Sequence, residues 1–191
     1  PEDVPFDNGV YFFYKGMFYC NNHLPGPFFR ILRVGTHRKD NNLRHRLKLH
    51  YTGNKNSSVF RRLIGSAILR EAKMERCYDH WEKQGKKTCP LCKQVEETVT
   101  SYIKEHYFKC IEVKDRDLRL RLEEGLIAML SSCPKCNSPD FEDWLGEYCY
   151  AEEVKKSRLW NIKGVNAEPL TWEEFGILSE IVMETKEKYD M

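Results

Sequence analysis

Two short apolar runs, each tied to a glycine, precede every helical pattern in this chain, and that order limits what it can fold into. Asn8-Gly9 opens Val10–Tyr14, a run dense in aromatic residues that reads as a strand. Pro25-Gly26-Pro27 breaks the chain before Phe28–Val34, a second strand that ends at Gly35. The two predict a hairpin with a long loop. Leu43, Arg46, Leu47 and His50 then recur at i, i+3, i+4 and i+7, one face of a helix. Asn56-Ser57-Ser58 offers N-caps for a following helix whose stripe is Phe60, Leu63, Ile64, Ala67 and Ile68; Arg61 and Arg62 fall off that stripe.

The segment from Cys77 to about residue 94 is polar, carries Gly85 and Pro90, and reads as an insertion. Val95, Val99, Tyr102 and Ile103 mark another helix, Tyr107–Val113 alternates as a third strand, and Asp115–Leu130 repeats as a helix with Leu118, Leu122, Leu126 and Met129 inward. Thr171-Trp172-Glu173-Glu174 is a capping box for a last helix bearing Phe175, Leu178, Ile181 and Val182. The resulting order is β-β-α-α, insertion, β-α and a helical C-terminal extension, an α+β chain.

At 191 residues, with 41% hydrophobic and 13% aromatic residues, the chain can bury a core of its own. No apolar run reaches bilayer-spanning length, and Pro1-Glu2-Asp3 begins nothing like a signal peptide. The expectation is a cytoplasmic protein with no membrane partner. The net charge of +2 hides an asymmetry: residues 30–73 hold twelve Lys/Arg against two Asp/Glu, while residues 137–191 hold six against thirteen. A basic block beside an acidic region suggests a face that meets a polyanion, with Arg33, Arg38, Arg44, Arg61 and Arg62 as the candidate contacts should that polyanion be DNA; a solvated basic surface is the other reading.

Arg46 and His50 sit one turn apart at the edge of an otherwise apolar helical face. An arginine there needs an anionic partner, either an internal carboxylate or a bound phosphate. Hydrolysing a phosphodiester calls for a base, cations on the phosphoryl oxygens and support for the leaving oxygen. Tyr11, Arg46, His50 and Glu123 are residue types able to supply these roles.

Taken in order, the signals resemble the GIY-YIG nuclease superfamily. Gly9-Val10-Tyr11 looks like its first motif half and Arg33-Val34-Gly35 like its second. Leu43-x-x-Arg46-Leu47 is similar to the helix with the catalytic arginine. Leu122-Glu123-Glu124-Gly125-Leu126-Ile127 resembles the metal-binding glutamate helix, and Asn137 the late asparagine. The resemblance implies a small three-stranded antiparallel or mixed sheet flanked by helices. It implies a nuclease domain over 1–137, interrupted at about 77–94, with 138–191 packed on it as an extension. It also implies a metal-dependent DNA endonuclease of the restriction, repair or mobile-element kind. In such an enzyme Tyr11 assists deprotonation of a water, Arg46 binds the scissile phosphate, Glu123 holds one Mg²⁺, and His50 relays a proton or anchors the phosphate. Arg33 stands where the family's second motif carries a tyrosine, and His37 is placed to take over part of that role. Asn137 completes the expected catalytic set. Cutting both strands would call for a homodimer or two sequential nicks.

Cys89-Pro90-Leu91-Cys92 and Cys133-Pro134-Lys135-Cys136 are paired knuckles of the kind that close a tetrahedral structural Zn²⁺ site. Disulfides or reduced thiols are the other reading. The alternative function is a zinc-stabilised nucleic-acid-binding module without catalysis.

Overall fold

The computed structural model describes residues 1–15, 18–19, 27–28, 30–83, 90–133 and 144–189. Among these residues the strands are β1 (Gly9–Tyr14), β2 (Phe18–Tyr19), β3 (Pro27–Phe28), β4 (Ile31–Gly35) and β5 (Tyr107–Glu112). Its helices are α1 (Leu43–Thr52), α2 (Val59–Glu71), α3 (Tyr78–Glu82), α4 (Pro90–Lys104), α5 (Arg116–Ser132), α6 (Glu152–Ser157) and α7 (Trp172–Tyr189). The fold is α+β, as expected. A three-stranded sheet in the order β4-β1-β5 is antiparallel throughout, with the aromatic strand β1 at its centre.

The expected second strand is divided. Only Ile31–Gly35 joins the sheet, and Pro27–Phe28 pairs instead with Phe18–Tyr19 in a separate ribbon. The register fixes which side chains share a face. Tyr11 stands opposite Gly35, and Phe13 opposite Arg33, so these four line one side; Phe12 and Val34 line the other.

Each face of the sheet buries its own core. On the first, Tyr11, Phe13 and Leu32 pack with Leu43 and Leu47 of α1, Phe60, Leu63 and Ile64 of α2, and Val95, Val99 and Ile103 of α4. On the second, Val10, Val34 and Ile111 pack with Leu122, Leu126 and Ile127 of α5 and with Leu178 of α7. Helix starts follow the expected chemistry. Ser58 caps α2, Asp115 caps α5 by accepting from the Leu118 N–H at 2.7 Å, and Thr171 and Glu174 cap each other reciprocally at the head of α7.

The described part of the expected polar insertion is not a loop. It is largely helical, and Cys77, Trp81 and Cys92 are buried in the first core. The Trp81 ring lies against Gly65 of α2, where a Cβ would sit 1.9 Å from it, and its indole N–H reaches the Arg62 carbonyl at 2.8 Å. Pattern reading missed this because one tryptophan in a polar stretch has no periodicity to announce it. The segment after α5 is equally integral: Trp144, Leu145, Val154 and Trp160 belong to the first core. Among the described residues, no helix is long and apolar enough to cross a membrane.

Candidate active site

Four elements deliver side chains to one place. Tyr11 projects from the centre of β1 with its ring across Gly35, where a Cβ would lie 2.2 Å from the ring. That close approach explains why the strand opposite needs glycine. The Tyr11 hydroxyl meets His50 Nε2 at 2.8 Å, and His50 Nδ1 meets Ser58 Oγ at 2.8 Å. The direction of both bonds follows the tautomer: with Nδ1 protonated and donating to Ser58 Oγ, Nε2 accepts from the Tyr11 hydroxyl.

His50 is wholly buried. Burial, then the charges of Arg33, Arg46 and Arg61, holds its imidazole well below the ordinary range. It is a neutral base at neutral pH, touching a phenol. Arg46, one turn earlier on α1, is half-buried and donates to the Ser57 carbonyl at 3.1 Å. It pairs with no carboxylate among the described residues.

Glu123 comes from α5, on the opposite face of the sheet, and rounds the end of β4. There Oε1 accepts the Thr36 N–H at 3.0 Å. Burial pushes its carboxyl above the usual carboxylate range, while Arg33, the Thr36 N–H, Arg46 and Arg38 pull it back down. The second carboxylate oxygen has no protein donor among the described residues. Mg²⁺ is commonly held by one or two carboxylates plus waters and substrate phosphates. One half-buried carboxylate facing arginines fits such a site, completed by the substrate. Among the described residues no group of three or more His, Cys, Asp or Glu forms a preformed cage.

The basic residues divide sharply. Arg38 and Arg44 are on the surface, Arg38 near Glu123 and Arg44 bound to Asp7 at 2.5 Å. Arg62 is half-buried. Arg61 departs from the expectation of a DNA contact. It is 1% exposed, ion-paired to Glu96 at 2.7 Å, and donates to the carbonyls of His50 and Glu96 and to Thr100 Oγ1. A guanidinium enclosed in the fold and bonded to Glu96, Thr100 and the His50 carbonyl is turned away from any phosphate at the surface. Arg33 is also buried, at 7% exposure. It lies over the Phe60 ring and donates to the Trp160 carbonyl, while its charge is felt by both His50 and Glu123. It therefore lies within the site rather than on a DNA-facing surface.

His37 departs as well. It is 4% exposed, Nδ1 donates to the Lys39 carbonyl at 2.6 Å, and Nε2 accepts the Gly9 N–H at 3.3 Å. Both nitrogens are committed to backbone, so His37 ties the β4–α1 loop to β1 instead of replacing a tyrosine. Arg119, fully buried, holds the same loop through the His37 carbonyl and the Asp40 carboxylate. Its signal was a charge inside the apolar repeat of α5. Asn161 had no signal: its amide donates to the Val34 carbonyl at 2.9 Å and accepts the Val34 N–H at 3.2 Å.

Asn137, Cys89 and Cys136 lie outside the described residues. Of the expected zinc ligands, Cys92 is buried in the first turn of α4 and Cys133 is half-buried at the end of α5.

No curated protein and no solved structure matches the chain. A family model does: the one described as the GIY-YIG domain matches residues 2–188, which takes in the motifs, the helices between them and the C-terminal segment. With that span and a three-stranded antiparallel sheet flanked by helices, the chain belongs to the GIY-YIG domain family.

Proposed function

We propose that this chain is a metal-dependent DNA endonuclease that hydrolyses phosphodiesters at the Tyr11–His50–Arg46–Glu123 site. Family membership supports a nuclease. The observation that carries the finer reading is the Tyr11–His50 contact, a phenol hydrogen-bonded to a buried neutral imidazole beside unpaired arginine charge.

The Tyr11–His50 contact supports one route for the proton. A water near the Tyr11 oxygen loses its proton to that oxygen as the Tyr11 proton passes to His50 Nε2. This route uses the tautomer in which His50 Nδ1 donates to Ser58 Oγ and Nε2 is free to accept. A phosphodiester seated against Arg46 and near Arg33 brings negative charge that offsets the guanidinium charges disfavouring imidazolium. Substrate thus raises the basicity of His50 when it is needed. Arg46 also opposes the charge developing on the phosphoryl oxygens. Glu123 would hold Mg²⁺, which when bound supports the leaving 3′ oxygen.

The test is incubation of the protein with supercoiled plasmid, with Mg²⁺ or with EDTA. Nicking or linearisation with Mg²⁺ alone is expected. Tyr11→Phe, Arg46→Ala and Glu123→Ala should each lower the rate by about 10²–10⁴-fold, the range for loss of a positioned proton-transfer or electrostatic group. DNA affinity should change far less in Arg46→Ala than the rate does. Plasmid binding without Mg²⁺-dependent cutting would instead assign the chain to nucleic-acid binding without catalysis.

A further inference from the structure

Helix α7 carries apolar residues on the side away from its own core. Leu178 and Thr185 are buried and Ile181 packs on the second core. Trp172, Phe175, Val182 and Met183, by contrast, are 91%, 39%, 43% and 60% exposed. At about 100° per residue these four share one helical face with Gly176, Ser179 and Lys186. A Cβ at Gly176 would meet nothing within 4 Å, so the face is open and narrow at its middle. A contiguous apolar stripe of this kind marks an interaction surface.

We propose that this stripe joins two copies of the chain, with their α7 helices packed antiparallel about a two-fold axis at Ser179. The inference goes beyond the nuclease reading and does not depend on it. In a two-fold contact, residue i meets j and j meets i. About Ser179, Gly176 of one copy meets Val182 of the other, small against branched. Phe175 meets Met183, a ring against a thioether. Trp172 meets Lys186, an indole under an ammonium.

The charges agree with this direction. Glu173 and Glu174 lie in the first turn of α7, and Lys186 and Lys188 in the last. Antiparallel packing sets the acidic start of one helix beside the basic end of the other and opposes the two helix dipoles. Parallel packing would set Trp172 on Trp172 and Lys186 on Lys186. With aromatic side chains presenting up to about 150–250 Å² each, the stripe offers about 500 Å² per copy. That gives about 1,000 Å² in the pair, the lower bound for a specific interface, and it predicts reversible rather than obligate association.

The experiment measures the mass of the full chain by light scattering across micromolar to submillimolar concentration. Wild type should move toward twice the monomer mass. Val182→Lys and Gly176→Glu should each remain monomeric. Both sites are open to solvent, so the circular dichroism should stay as in wild type, and Gly176→Glu should leave the unfolding midpoint level or raise it, since it removes a glycine from inside a helix. The double variant Gly176→Glu/Val182→Lys should associate again, because each new carboxylate faces a new ammonium across the axis. A wild type that stays monomeric, or single variants that still pair, would overturn the proposal. So would a double variant that fails to recover.

Discussion

Replacing Gly35 with alanine tests whether the Tyr11 ring, rather than the backbone, is what demands glycine in β4. Gly35 has no positive φ, so alanine brings no backbone strain there. The cost is steric. The new Cβ would sit 2.2 Å from both Cζ and Oη of Tyr11 and 2.6 Å from Cε2, where carbon atoms normally approach to about 3.5 Å. The ring must move by more than an ångström. It is 1% exposed and wedged between Phe13 and His50, with ring centroids at 5.9 and 5.4 Å. Overpacking of this kind costs about 1–3 kcal/mol, and loss of the Tyr11–His50 hydrogen bond adds about 1 kcal/mol.

In a Tyr11→Leu background the clashing atoms are gone. There the same substitution should be neutral, or stabilise by about 0.5 kcal/mol through the lower entropy cost of ordering alanine in a strand. Urea unfolding of the four proteins therefore should give a coupling of about 2–4 kcal/mol, against the few tenths expected of independent sites. Gly35→Ala alone should also lower plasmid cleavage by at least about 10²-fold, since the proton path runs through the displaced hydroxyl. An equal cost of Gly35→Ala in both backgrounds would refute the steric account.

Arg61→Leu should cost about 3–5 kcal/mol, because Glu96 is left as an uncompensated buried charge. DNA affinity per folded molecule should not change, and a marked loss of affinity would return Arg61 to the DNA surface. Acid sensitivity should come from histidines buried neutral. Burial lowers His50, His37 and His106, the last to about 4 from 6.5. The unfolded chain therefore binds protons below 6.5 that the folded chain refuses, so stability is complete above that pH and declines as pH falls toward 4. His106 alone accounts for up to about 3 kcal/mol. Unfolding curves that superimpose at pH 7 and pH 5 would sink this account, and His106→Leu should flatten part of the slope. Elemental analysis of protein purified without chelator should find one zinc per chain if Cys89, Cys92, Cys133 and Cys136 form a site; its absence removes that expectation.

The sheet and most helices were legible because their signals are local. Asn8-Gly9 before an aromatic run, Ser58 and Asp115 as caps, and the Thr171/Glu174 box each act within one turn or one strand. So were the motif residues, since Tyr11, Arg46, His50 and Glu123 fall in a fixed order. The basic block was the misleading part. Arg33, Arg61 and Arg70 are spent on Trp160, Glu96 and Glu82, partners 127, 35 and 12 residues away. A charge count cannot tell a guanidinium facing solvent from one facing a distant carboxylate. The part played by Trp81 was hidden for the same reason: Gly65, the residue that makes room for it, lies on another helix.

The segment around Trp160 and Asn161 does more than close the first core. The Trp160 N–H donates to the Leu32 carbonyl at 2.7 Å, and the Asn161 amide uses both its ends on Val34. Together they act as a stand-in neighbour for the outer side of β4, satisfying groups that would otherwise recruit a foreign strand. The same segment offers the carbonyl that receives Arg33. Position 33 and this distant patch therefore depend on each other. A relative that shortens or reroutes the patch would strand a buried guanidinium, and it should be found to have exchanged Arg33 for an uncharged residue such as the tyrosine of the second motif.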